Sequence, residues 1–453
     1  MGTYTISISE PEPAKAPGSG ALRIVLGFAL VLGVGTLLLS LPFTAASGEA
    51  THPFDALFTA VSAICVTGLV VFETQEHWSF WGELVILLLI QVGGLGYMMG
   101  TSLILWVIGR RLGVRDLQML RLYYGAPTMG ETVAFARRVA MFTFAAEAAG
   151  AAVLYVAFVA GGVGAGTSVW WAVFHSISAF NNAGFSVTGN DIIDFRENAG
   201  VLLTISTLVI IGGLGALPVL ALVSERGARR LSLDSKLVFA TSAALLALGT
   251  AFVLLAEWDN DATLGTVSAA HRPVLALFQA TMPRTAGFSA VDIQALTDES
   301  KFLTVGLMFI GGAAGSTAGG IKVGTFSILL IALVATLRAQ THIRVFRRAV
   351  PESVVLQALT IAFLGLTFVF LLAVALLQAS DSAGLDVLFE ALSAFGTVGL
   401  STGVTMATGT AGRAVIIVGM LVGRFGPMIL VLEMTRPRRQ STVRLPEDSI
   451  RMG

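Results

Sequence analysis

Four strings share one pattern: Ser62-Ala-Ile-Cys-Val-Thr-Gly68-Leu69, Ser178-Ala-Phe-Asn-Asn-Ala-Gly184-Phe185, Thr281-Met-Pro-Arg-Thr-Ala-Gly287-Phe288 and Ser393-Ala-Phe-Gly-Thr-Val-Gly399-Leu400. A hydroxyl residue stands six before each glycine, a Leu or Phe follows it, and Phe58, Phe174, Leu277 and Phe389 stand ten before it. The glycines recur at intervals of 116, 103 and 112 residues. The chemistry this pattern permits is cation coordination. A dehydrated alkali cation needs a cage of oxygens, and backbone carbonyls supply one when the chain is extended and its side chains turn away. A tight point in such a chain demands unusual dihedrals, which favours glycine. The candidate coordinating residues are therefore Val66, Thr67 and Gly68; Asn182, Ala183 and Gly184; Thr285, Ala286 and Gly287; Thr397, Val398 and Gly399.

A second repeat follows each glycine by 24 to 28 residues: Gly93-Gly94-Leu95-Gly96, Gly212-Gly213-Leu214-Gly215, Gly311-Gly312-Ala313-Ala314 and Gly423-Arg424-Phe425-Gly426. Small residues at such spacing let helices approach closely. The fixed offset ties both repeats into one unit.

The elements that must position these strings are apolar. The 453 residues are 55% hydrophobic and only 12% charged, with mean hydropathy +0.83, which excludes a soluble globular domain, a disordered chain and a nucleic-acid binder. Long apolar runs at 24–43, 84–108, 139–162, 199–223, 237–256, 302–337, 353–379 and 414–432 are of bilayer-crossing length. Shorter runs near 53–64, 168–180, 273–283 and 383–395 are too short to span and read as re-entrant half-helices. Each would turn its partly negative C-terminal end toward a common axis, which favours a cation. The fold class is thus an all-α polytopic membrane protein of eight spans and four re-entrant pore loops.

Arginine and lysine cluster at 109–138 (Arg110, Arg111, Arg115, Arg121, Arg137, Arg138), at 224–236 (Arg226, Arg229, Arg230, Lys236), at 338–348 (Arg338, Arg344, Arg347, Arg348) and in the C-terminal tail. The segment 44–82 has none. The basic connections are read as cytoplasmic, both termini as inside, and the short segments as entering from outside. Cys65 is the single cysteine, the five histidines show no ligand spacing, and no nucleophile or nucleotide motif occurs, so neither a cofactor nor enzyme chemistry is expected.

Together the four strings, the run Gly311-Gly-Ala-Ala-Gly-Ser-Thr-Ala-Gly-Gly-Ile-Lys322-Val323 and Arg424 resemble the Trk/Ktr/HKT cation transporters, over about residues 21–435. The likeness is strongest to the membrane subunit of bacterial Ktr systems, because Trk-type subunits generally carry extra N-terminal spans. It implies four membrane–pore–membrane repeats around a pseudo-fourfold pore, here 21–115, 116–230, 231–345 and 346–435, with cytoplasmic tails at 1–20 and 436–453. It implies potassium uptake across the plasma membrane of a bacterium (the inner membrane). Glycine rather than serine at position 68 implies potassium selectivity, with sodium dependence left open. A homodimer and a cytosolic nucleotide-binding ring subunit are implied as partners, beside the lipid bilayer. A sodium-permeable or weakly selective transporter is the alternative. More distant ones are the potassium-binding subunit of a P-type pump, which is usually longer, and an alternating-access carrier, which four same-orientation repeats disfavour.

The run 302–337 is longer than one crossing needs, and five glycines lie within 311–320. The likeness implies an unwound gate beneath the filter, formed by Gly311, Gly312, Gly315, Ser316, Thr317, Gly319, Gly320 and Lys322. Arg424 occupies the register of Gly94, Gly213 and Gly312, and three glycines leave room for one guanidinium. We expect it below the filter, donating to carbonyls of the 311–320 loop. Asn181, Asn182 and Arg284 read as braces, Glu147 as a buried partner of an arginine or an ion ligand, Pro53 and Pro273 as first-turn residues, and Trp170-Trp171 as an interfacial anchor.

Overall fold

A computed structural model describes residues 18–99, 129–224, 231–340 and 342–434. The basic positions Arg110, Arg111, Arg115, Arg121, Arg226, Arg229 and Arg230, the inner end of the 84–108 run and the C-terminal tail lie outside the described residues.

Four short helices form where the short apolar runs predict them: α2 (Pro53–Ile64), α5 (Ala165–Phe180), α9 (Arg272–Thr281) and α13 (Gly384–Gly396). Pro53 and Pro273 do stand in first turns, where a missing N–H costs little. Each short helix sits between two longer elements. The first of each pair are α1 (Gly18–Leu39), α4 (Met129–Ala160), α8 (Leu233–Ala256) and α12 (Glu352–Ala379). The second are α3 (Phe80–Met99), α6 with α7 (Ala199–Leu214, Ala216–Ser224), α10 with α11 (Asp298–Phe309, Val323–Leu337) and α14 (Thr410–Met434).

Among the described residues, α4 from Arg137 onward, α8 and α12 are long and apolar enough to cross a membrane, and α6 with α7 makes a fourth if the bent pair is one span. Gly27–Leu39, Phe80–Leu95 and Val323–Leu337 are apolar but shorter. Their outward faces leave Leu255, Leu337 and Phe363 at least two-thirds exposed, which suits hydrocarbon and not water.

Two of the long apolar runs are not continuous helices. The 199–223 run, read as a single span, breaks at Gly215, where α6 and α7 meet at 99°. Gly215 has φ +79°, and Ser316 with the Gly315 carbonyl lies beside it. A hydropathy pattern carries no trace of that dihedral. Gly215→Ala has room for its methyl group, but its backbone (φ 79°, ψ 154°) lies in a region essentially reserved for glycine, so a cost of about 1–3 kcal/mol is expected. A lowered melting temperature of the detergent-solubilised protein checks this. The 302–337 run unwinds over 310–322, where the glycine run predicts it, between α10 and α11. A two-stranded hairpin, Arg344–Val345 with Arg348–Ala349, joins α11 to α12.

The short helices are the centre of the molecule. Phe58, Phe174 and Phe389 are fully buried there, and close packing rather than transfer from water holds them. In the third unit the buried ring is Phe278 rather than Leu277, a slip of one residue against the sequence pattern.

Candidate functional site

The four glycine strings leave their helices in the same way. The residue two before each glycine is left-handed: Val66 (φ 57°), Asn182 (59°), Thr285 (68°) and Thr397 (48°). The glycines are left-handed as well, at 91°, 68°, 75° and 99° for Gly68, Gly184, Gly287 and Gly399. Three of the four non-glycine residues are β-branched, for which this region is strained by about 1–3 kcal/mol each. The same strain in four places needs surroundings that enforce it.

Part of that enforcement is the hydroxyl six before the glycine. The Gly68 N–H donates to Ser62 Oγ and the Gly399 N–H to Ser393 Oγ, both at 3.1 Å. In the second unit Ser178 Oγ donates instead to the Phe185 carbonyl at 2.8 Å. In the third, Thr281 Oγ1 donates back to the Leu277 carbonyl at 2.7 Å, following the one-residue slip. Ser62→Ala would leave the buried Gly68 N–H without its acceptor. A loss of about 1–3 kcal/mol in unfolding free energy is expected, read from thermal denaturation.

The strings meet one another. A methyl group added to Gly68 would collide with the Ala183 carbonyl and lie 3.0 Å from Gly184 Cα. One on Gly184 would lie 2.8 Å from the Ala286 oxygen and 2.9 Å from Gly287 Cα. One on Gly287 would collide with the Val398 carbonyl, and one on Gly399 with the Thr67 carbonyl. The order closes from first to second, third, fourth and back to first. Eight of the twelve candidate coordinating residues, Thr67, Gly68, Ala183, Gly184, Ala286, Gly287, Val398 and Gly399, therefore meet in one closed ring, and Val66, Asn182, Thr285 and Thr397 precede them in the chain. Thr67 Oγ1, Thr285 Oγ1, Thr397 Oγ1 and Asn182 Nδ2 are buried there and have no protein partner among the described residues.

The second glycine repeat explains how neighbouring helices reach this ring. Added methyl groups on Gly93, Gly212 and Gly423 would collide with the Ile64, Phe180 and Phe395 carbonyls, at the ends of the short helices. The third unit differs: Gly311 meets the Gly319 carbonyl, within its own unwound loop.

That loop, 310–322, is pinned from several sides. The Gly311 N–H donates to the Ile321 carbonyl (2.8 Å), the Ala313 N–H to the Gly213 carbonyl (2.8 Å) and the Val323 N–H to the Gly312 carbonyl (2.9 Å). Thr317 Oγ1 donates to Asn182 Oδ1 at 2.9 Å, and Gly319 abuts the Thr397 side chain. Gly315 and Gly320 are left-handed, and Ser316 and Thr317 are fully buried. Lys322 Nζ donates to the Ala318 carbonyl at 2.5 Å. Arg424 is 1% exposed and donates to the Thr317 carbonyl, as its register predicts. Its second contact, to the Gly93 carbonyl at 3.1 Å, has no signal in the sequence. Of the nine candidate gate residues, Thr317 and Gly319 touch the strings directly, and Arg424 joins them through the Thr317 carbonyl.

Other singled-out residues find plain partners. Glu147 receives Asn181 Nδ2 at 3.0 Å, so its partner is an amide on the second string rather than an arginine. Arg284 donates to Ser242 Oγ at 2.9 Å. Trp170 donates to Glu83 at 2.6 Å. Outside the spans, Asp191 Oδ2 accepts the Ser289 N–H at 2.5 Å, which lowers its proton affinity. Burial is the larger effect and pushes the carboxyl up to about 8. Asp55 and Arg413 pair at 2.7 Å, linking α2 to α14.

A helical chain with lipid-suited faces around a ring of carbonyls and glycines has the build of a membrane transport protein. Residues 28–441 match the TrkH family of cation transport proteins, and the chain belongs to that family, one of transporters and not enzymes. It is 35% identical over 433 residues to the Ktr system potassium uptake protein B of Bacillus subtilis (strain 168), covering 95% of this chain and 96% of that protein. It is also 35% identical to the potassium/sodium uptake protein NtpJ of Enterococcus hirae, over 95% of this chain and 96% of that one. The crystal structure of the potassium transporter TrkH from Vibrio parahaemolyticus shares the fold, with TM-score 0.70 and 22% identity over 94% of this chain and 86% of that one.

Proposed function

We propose that this protein takes up potassium across the plasma membrane through a channel-like pore. The observation that carries the reading is the closed ring of four strings with one repeated dihedral signature. Its filter is the set of carbonyls from Val66 to Gly68, Asn182 to Gly184, Thr285 to Gly287 and Thr397 to Gly399. Carbonyl dipoles held at a fixed radius replace the hydration shell of potassium better than that of a smaller ion. The names of the relatives that match nearly the whole chain support the same substrate. In this reading each short helix with its two flanking elements is one of four repeats around the pore. The 310–322 loop is the gate, pinned by Lys322 and Arg424 on the inner side of the filter.

Growth at limiting potassium in a bacterial strain without its own uptake systems tests the reading, together with potassium flux in proteoliposomes. Rescue and flux support it; a folded protein that moves no potassium ends it. Sodium permeation is the second reading, favoured by the likeness to a potassium/sodium uptake protein. Competition between the two ions in the same vesicles separates the two.

The basic hairpin at 344–349 with Arg338 forms a positive face between α11 and α12. We assign it to the cytoplasmic side, where it would meet a nucleotide-binding ring subunit or anionic lipid. A homodimer with both termini inside completes the assembly. Flux with and without a ring subunit added to the vesicles tests the partner.

A further inference from the structure

The residue nine before the filter glycine differs in every string: Thr59, His175, Phe278 and Glu390. In two of the four it reaches across to the residue two after the glycine. Glu390, on α13 and 0% exposed, accepts Ser401 Oγ at 2.8 and 3.1 Å through its two oxygens. It also accepts the Thr405 N–H at 3.0 Å, the Thr405 hydroxyl and the Thr402 N–H at 3.4 Å. The two N–H groups can only donate, one to each Glu390 oxygen, and both hydroxyls are placed to donate as well, which suits a carboxylate. His175, on α5 and also 0% exposed, faces the Trp171 carbonyl with Nδ1 at 2.7 Å. The carbonyl can only accept, so Nδ1 carries the proton and Nε2 accepts Ser186 Oγ at 2.9 Å.

The other two strings have no such strut. Thr59 Oγ1 donates to the Asp55 carbonyl of its own helix, and Val70 stands two after Gly68. In the third unit, slipped by one residue, the matching position is Gln279, whose Oε1 has no partner among the described residues, and Ser289 is held from the neighbouring string by Asp191 and by the Ile192 N–H at 3.0 Å.

We propose that Glu390 and His175 are positioning residues that hold the fourth and second filter strings from behind. By fixing where those carbonyls stand, they set the preference among alkali cations. The proposal rests on the filter reading above. Among the described residues neither side chain hydrogen-bonds a ring carbonyl; His175 acts through Ser186, and Glu390 through Ser401, Thr402 and Thr405. A strut that only supported folding would change stability and yield without changing the choice between ions.

The test is potassium against sodium uptake in proteoliposomes, wild type beside variants. Glu390→Gln puts an amide N–H₂ among donors, and a fall in the potassium-to-sodium ratio of about tenfold is expected. Glu390→Asp keeps an acceptor and should retain part of the ratio. Ser401→Ala and His175→Phe each remove one strut bond and should lower it about threefold. Thr59→Val, on the string without a strut, should leave it unchanged. Ser401→Ala is the smallest change and decides the matter should Glu390→Gln not fold. Wild-type ratios in both Glu390→Gln and Ser401→Ala, or in Ser401→Ala alone if the first is misfolded, would overturn the proposal, as would an equal fall in Thr59→Val. A wild type that itself shows no preference for potassium defeats the filter reading instead, and is seen in the control lane of the same experiment.

Discussion

Replacing Arg424 with alanine is expected to raise potassium flux by about tenfold or more. The guanidinium is buried and donates to two carbonyls, Thr317 in the unwound loop and Gly93 at the second glycine repeat. Charge-assisted bonds of this kind contribute about 1.5–3 kcal/mol each, so losing the Thr317 bond releases the loop and losing the Gly93 bond releases its anchor on α3. Under the proposed gate, the substitution also removes a positive charge that would oppose a cation. Lysine at this position places one compact charge where a planar fork reached two acceptors, and an intermediate flux is expected. Initial rates of potassium or rubidium entering proteoliposomes, at matched amounts of monodisperse protein, check both variants. Wild-type flux in the alanine variant would make Arg424 a structural staple and return the gate to the loop alone.

The second large effect concerns the proposed filter. Gly68→Ser and Gly287→Ser each add a Cβ at a left-handed backbone position, where it would collide with the Ala183 or the Val398 carbonyl. Strain of about 1–3 kcal/mol and a displaced neighbouring string are the direct consequences. A carbonyl shifted outward by a few tenths of an ångström fits potassium less well and holds water more readily. We expect the potassium-to-sodium ratio to fall about tenfold to a hundredfold in competition uptake, with total flux changing less. Unaltered preference in both variants would refute the assignment of the carbonyls as ion ligands.

What could be read in the sequence, and what could not, divides along physical lines. The short helices, their glycine strings and the unwound run at 311–320 are local features: length, apolarity and glycine content act over a dozen residues and leave their mark there. The register of Arg424 with three glycines was legible for the same reason, since a repeat aligns positions that meet in space. The Ser62 and Ser393 hydroxyls were visible as a pattern, but not as acceptors for the filter N–H groups. The bend at Gly215 was hidden, because an apolar run looks identical straight or folded through 99°. Glu147 pairing with Asn181 and Arg424 reaching Gly93 depend on how separate helices cross, which no single segment records. Glu390 escaped notice for the opposite reason to the glycines. Its counterparts are Thr59, His175 and, after the slip in the third unit, Gln279, so the repeat that exposed the ring concealed the strut.

The contacts that close the ring join the two ends of the fold: Gly399 against the Thr67 carbonyl, Arg413 with Asp55, and Arg424 with Gly93 across 331 residues. A ribosome adding 5–20 residues per second therefore makes the first string roughly 15–65 s before its last neighbour exists. Throughout that interval the nascent protein holds polar backbone within the bilayer with one flank open. A polypeptide released before α13 would lack the fourth string, leaving Gly287 and the Thr67 carbonyl without the neighbours that close the ring.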